Sequence, residues 1–121
     1  MAEIKRVTQP TLDVLELLVE AHRQGVELHG WGIIKATKRT GPTIYNVLDR
    51  LEDAQWIKGH WEEQNSDSNK PRRRFYRLTG EGVHAARTLL LERRPAALRS
   101  RLATGFTFRQ LLGVLFAGGA R

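Results

Sequence analysis

Apolar residues recur at helical spacing from Leu12 to Val19, and again from Ile44 to Leu51. In the first run Leu12, Val14, Leu15, Leu17, Leu18 and Val19 cover more than half of a helical wheel, wider than a single core-facing stripe needs. Thr8 or Thr11 is the expected N-cap, Pro10 fits the first turn, and Gly25 marks the end. Two readings explain the width: a helix enclosed by its own chain, or one whose Val14/Leu17 side meets a partner chain. A shorter helix is predicted from His29 or Gly30 to about Lys38, burying Ile33, Ile34 and one side of Trp31. The stretch Arg39-Thr40-Gly41-Pro42 reads as a turn, with Thr40 placed to cap a third helix from Thr43 to about Ala54. There Ile44, Val47, Leu48 and Leu51 form a stripe at i, i+3, i+4, i+7. Thr43, Asn46, Asp49, Arg50 and Asp53 lie opposite, with Tyr45 on the flank.

Beyond this helix the period shortens to two. Trp56 to Trp61 reads as a strand with Ile57 and Trp61 on one face, and Arg73 to Leu78 as a second with Tyr76 and Leu78 on one face and Phe75 and Arg77 on the other. The polar stretch 62–71 joins them as a hairpin with a long tip. Thr79 then caps a helix carrying Val83, Ala86, Leu89 and Leu90 to about Arg94, and Pro95 ends that helix or opens another. The predicted fold is mainly α with a small β-hairpin: a winged helix-turn-helix over residues 1–94, with an additional C-terminal helix or helices over 95–121. In that last segment Phe108, Leu111, Leu112 and Leu115 repeat at helical spacing. The first reading is a dimerisation arm. Packing within the chain, or a basic amphipathic helix on a membrane surface, are the others.

Charge sharpens the picture. The 20 Lys and Arg outnumber the 13 Asp and Glu, for a net charge of +7, but the excess is unevenly placed. Residues 1–69 hold 8 basic and 11 acidic side chains, whereas residues 70–121 hold 12 basic and 2 acidic, a net of +10. Such an imbalance points to an anionic partner, nucleic acid before membrane. With no cysteine, a disulfide framework, a thiolate metal site and a cysteine nucleophile are excluded. No apolar run is long enough to span a bilayer, and the first residues lack the apolar core of a secretory signal, so a cytoplasmic location is expected. His22, His29, His60 and His84 show no zinc spacing, and no phosphate loop, GxSxG motif or carboxylate–histidine set is present. Neither an enzyme, a metal site nor a bound cofactor is expected.

In a helix-turn-helix the second helix enters the major groove with its N-terminal residues toward the base edges. Here that helix offers Thr43 and Asn46 for bases or phosphate, Tyr45 for a phosphate, and Arg50 further along; Asn pairs bidentately with adenine and Arg with guanine. Lys70, Arg72, Arg73, Arg74 and Arg77 place five cations in eight residues of the hairpin, and neutralised phosphates release counterions. Trp31, Trp56 and Trp61 suit core or interface anchors. Trp31 and Trp61 also suit a flat aromatic effector, if tryptophans meet across a dimer groove.

Three blocks of residues carry a family likeness: His29-Gly30-Trp31-Gly32-Ile33-Ile34, then Gly41 through Glu52, then Pro71 through Gly82. In this order they resemble the PadR family of winged-helix transcriptional regulators, over roughly residues 11–90. The resemblance implies a homodimeric bacterial DNA-binding protein, usually a repressor at a palindromic operator. Thr43, Tyr45, Asn46 and the wing arginines would contact DNA, and a small phenolic or drug-like molecule would release it. Two positions depart from the pattern. Gln55 stands where the family usually has glycine after the recognition helix, and the region after Pro95 does not look like the usual long C-terminal helix. Two other functions use the same residues: an architectural or phage-type accessory DNA-binding protein, and a winged helix that binds an acidic protein.

Overall fold

The computed structural model describes residues 4, 6–63 and 72–96. Helix α1 spans Gln9–Gln24, strand β1 Leu28–His29, α2 Gly30–Thr37, α3 Gly41–Asp53, β2 Ile57–Trp61, β3 Arg74–Leu78 and α4 Gly80–Arg93. The order and nearly all boundaries follow the periodicity of the sequence. The addition is β1, which pairs antiparallel with β3 and extends the hairpin to a three-stranded sheet of order β1-β3-β2. Two residues carry no periodicity. Leu28 and His29 become a strand only because Tyr76 and Phe75 lie opposite them.

Local chemistry sets the helix ends. Thr8 accepts from the Thr11 amide at the start of α1, and Gly25 closes it in the left-handed conformation at φ 72°, its N–H reaching the carbonyls of Ala21 and His22. His29 caps α2, its Nδ1 accepting from the Gly32 amide at 3.1 Å. Thr40 precedes α3 but makes no cap bond to a backbone amide. Pro42 leaves no N–H at one of the positions a cap serves, and the Thr40 hydroxyl donates to Thr43 Oγ1 instead, at 2.9 Å. Thr79 accepts from the Gly82 amide and donates to the Gln55 carbonyl, joining α4 to the turn after α3. Gly82 faces the Trp56 carbonyl so closely that a Cβ would lie 1.9 Å from its oxygen, so only glycine fits.

The core is one cluster centred on α1 and filled from α2, α3, the inner sheet face and α4. Helix α1 touches all of these, which explains its broad apolar circumference. Val14 and Leu17 are 0% and 3% exposed, enclosed by the chain's own elements, so the expectation that they meet a partner chain is corrected. Deleting such a side chain to alanine costs about 2–5 kcal/mol. Two carboxylates of α1 are buried with partners: Glu20 with Arg23 and Gln24, and Glu16 with Arg94. Asp13, on the same helix, is shared. Its Oδ1 accepts from Arg94 at the end of α4 and its Oδ2 from Arg39 in the turn before α3, each at 2.7 Å.

Candidate nucleic-acid interface

Helix α3 buries Ile44, Val47, Leu48 and Leu51 and turns Tyr45, Asn46, Asp49 and Asp53 to solvent, with Thr43 and Arg50 partly exposed. Thr43, Asn46 and Arg50 border one cleft of about 480 Å³, together with Asp49. Arg6 and Thr8 form its other wall. Arg6 therefore adds a cation to the face of α3 that spacing along the chain did not single out, because it lies 37 residues before Thr43. Tyr45 leans the other way, onto the first residue of α2. A Cβ at Gly30 would lie 2.6 Å from the tyrosine hydroxyl, so glycine is required for the ring to lie there.

The wing cations have different partners. Arg72 is exposed and its Nε donates to the Glu62 carbonyl at 3.0 Å. The Arg73 amide donates to Glu62 Oε1 at 2.8 Å, and this bond holds the Glu62 carboxyl below its ordinary pKa. The Arg73 guanidinium lies 5.7 Å from the Phe75 ring. Arg74 turns inward: its Nη2 donates to Glu52 Oε2 on α3 at 2.6 Å, and its guanidinium lies over the rings of Trp61 and Tyr76. Gly59 makes the room, since a Cβ there would lie 2.8 Å from Arg74 Nε. Arg77 stands apart from the tip, opposite Lys58 and 3.5 Å from Glu27. The four described cations are thus not one uniform charged strip. Lys70 lies outside the described residues.

The outer sheet face is occupied as well. Phe75 is flanked by His29 edge-on and by His60 in a stack. His60 Nε2 meets Glu27 Oε1 at 2.8 Å, and this bond, with the Trp61 carbonyl, raises the imidazole pKa above its ordinary value.

Trp31 and Trp61 share a cleft within one chain. It has a volume of about 420 Å³ and runs between the start of α2, the start of α3 and the wing, where Tyr45, Tyr76 and the wing arginines complete its walls. Ile57 and Trp61 share a strand face as expected, yet only Ile57 reaches the core, because Trp61 lies beyond its edge. Trp56 is buried. Phe108, Leu111, Leu112 and Leu115 lie outside the described residues. Among the described residues no cluster of His, Asp or Glu is arranged to hold a metal ion, and no helix is long and apolar enough to cross a membrane.

Residues 14–88 match the transcriptional regulator PadR-like family. No curated protein matches the chain. Among solved structures, a PadR family transcription regulator from Clostridium difficile is 20% identical with a TM-score of 0.56, over 88% of this chain and 100% of that one. MepR of S. aureus bound to DNA is 23% identical with a TM-score of 0.55, over 93% and 80% of the two chains. The same regulator in its DNA-binding conformation is 25% identical, with a TM-score of 0.57 over the same shares. The arrangement of α2, α3 and the wing is thus shared with proteins of known fold, and the sequence blocks around it match a family profile. The chain belongs to the PadR-like family of transcriptional regulators, DNA-binding proteins and not enzymes.

Proposed function

We propose that this regulator is a homodimeric repressor that reads a palindromic operator, one α3 helix entering each of two successive major grooves. The observation that carries the reading is the fixed relation of α3 to the wing, the two being joined directly by Glu52 and Arg74. Thr43, Tyr45, Asn46 and Arg50 then address base edges and nearby phosphates, while Arg72 and Arg73 meet flanking backbone. Two subunits are needed because one α3 covers a single half-site, and the C-terminal segment 95–121 is proposed to join them. Titrating the DNA upstream of the protein's own gene and a scrambled duplex at several salt concentrations tests this. A steep salt slope on both and a tight complex only on the first is expected. Equal affinity for both duplexes points to an architectural protein, and no salt-dependent binding at all to a protein partner. Asn46→Ala is expected to blunt discrimination between the duplexes. Deleting 105–121 is expected to convert a dimer to a monomer by solution mass.

A further inference from the structure

Among the described residues four large apolar side chains are exposed: Trp31, Tyr45, Trp61 and Leu91. Three of the four converge on the single cleft between α2, α3 and the wing. Apolar side chains scattered over a surface are ordinary, but a contiguous group marks a contact site. Among the described residues the same cleft is lined by Arg72, Arg73 and Arg74, of which Arg73 also lies 3.5 Å from Glu62 and Arg74 is paired with Glu52. A further cation, Lys35, stands 4.3 Å from the Trp31 ring. The surface therefore combines flat carbon-rich walls with positive charge.

We infer that this cleft seats one strand of the DNA backbone, its deoxyribose carbons against Trp31 and Trp61 and its phosphates on Arg72 and Arg73. This rests on the DNA-reading proposal above and extends it to residues outside α3 and the wing cations. Position supports it: the cleft is bounded by the first turns of α3 on one side and by the wing on the other. When α3 lies in a major groove, the strand bordering that groove passes between these two elements. Shape supports it as well. A small-molecule site encloses most of its ligand, whereas Trp31 is 58% and Trp61 54% exposed, leaving a seat open along its length. Sugar and phosphate are the same at every step of the duplex, so these contacts add affinity without reading sequence.

The test uses the full chain with Trp31→Ala, Trp61→Ala and the double variant. Both side chains lie outside the core, and circular dichroism melting checks that the fold is kept. Each variant loses apolar contact with the sugars and is expected to bind operator and scrambled duplex about tenfold more weakly, by a similar factor on both. The salt slope stays unchanged, since no charge is removed, whereas Arg72→Ala with Arg73→Ala lowers it by about two. Wild-type affinity in both tryptophan variants overturns the inference while leaving the DNA reading intact. So does a variant that binds DNA normally but is no longer released by 2-naphthoate, a planar aromatic carboxylate probe: the cleft then belongs to an effector. Failure of the wild-type chain to bind any duplex overturns the DNA reading, and this inference with it.

Discussion

Arg74 of the wing and Glu52 of the recognition helix meet at 2.6 Å, 22 residues apart in sequence, and fix the angle between the two elements. The pair is partly exposed, with rings of Trp61 and Tyr76 beside the guanidinium. This arrangement makes a prediction whose sign separates bracing from simple electrostatics. Removing an acid beside a DNA-binding face should strengthen binding if only charge matters. If the pair braces the wing, Glu52→Gln instead weakens operator binding, by about three- to tenfold. The folding free energy changes by about 1 kcal/mol or less, as is common for partly exposed ion pairs. Titration of the variant by fluorescence anisotropy decides it, and tighter binding would show that the brace is dispensable.

Gly59→Ala is expected to reproduce that effect by another route. The new methyl group meets the flexible end of Arg74 and not backbone, so the fold tolerates it while the guanidinium is pushed from Glu52. Combined with Glu52→Gln it adds little further loss, because both changes remove one interaction. Full additivity in the double variant would mean that the two act separately.

Gly82→Ala has the opposite profile. Here the methyl group meets the Trp56 carbonyl, which is backbone and is itself bonded to the Thr79 amide. Neither side can yield cheaply, so a loss of about 1–3 kcal/mol in folding stability is expected, read as a lower melting temperature. A melt unchanged from wild type would contradict the close approach.

Gln55 occupies the left-handed region at φ 65°, where a side chain costs about 1–2 kcal/mol and glycine does not. Gln55→Gly releases that strain and gives back part of it as chain entropy. The net gain is about 1 kcal/mol, raising the melting temperature by about 4 °C or more. A drop on substitution would show that the glutamine side chain makes a compensating contact.

His60 gives a pH signature. Its pKa is raised, first by the bond to Glu27, so the charged pair persists above the pH at which an ordinary histidine loses its proton. Whatever stability the pair contributes is complete below the ordinary histidine value and disappears as pH rises through the raised one. In Glu27→Gln the His60 titration, followed by NMR, is expected to move back toward the ordinary value. An unmoved midpoint would place the cause elsewhere.

The parts of this molecule that sequence makes legible are those governed by neighbours along the chain. The stripe Ile44-Val47-Leu48-Leu51, the turn at Gly41-Pro42 and the alternation in Arg74–Leu78 each declare an element within a few residues. What escapes is settled by partners far away. Arg74 looks like its neighbours in a run of arginines, and only the hairpin register brings it to Glu52. The width of the α1 apolar face cannot say what covers it, and the answer for Val14 and Leu17 is the chain itself. Trp31 and Trp61 read as separate aromatics until folding sets the start of α2 beside the wing. The departure at Gln55 shows only against the family resemblance, which implies glycine there, and the left-handed backbone at φ 65° is the conformation such a glycine serves.

Asp13 makes one carboxyl group of α1 the common anchorage of two remote stretches, Arg94 at the exit of α4 and Arg39 at the entry to α3. Arg94 also holds Glu16 of the same helix, so the exit of α4 is moored to α1 at two carboxylates while the doorstep of the recognition helix shares one of them.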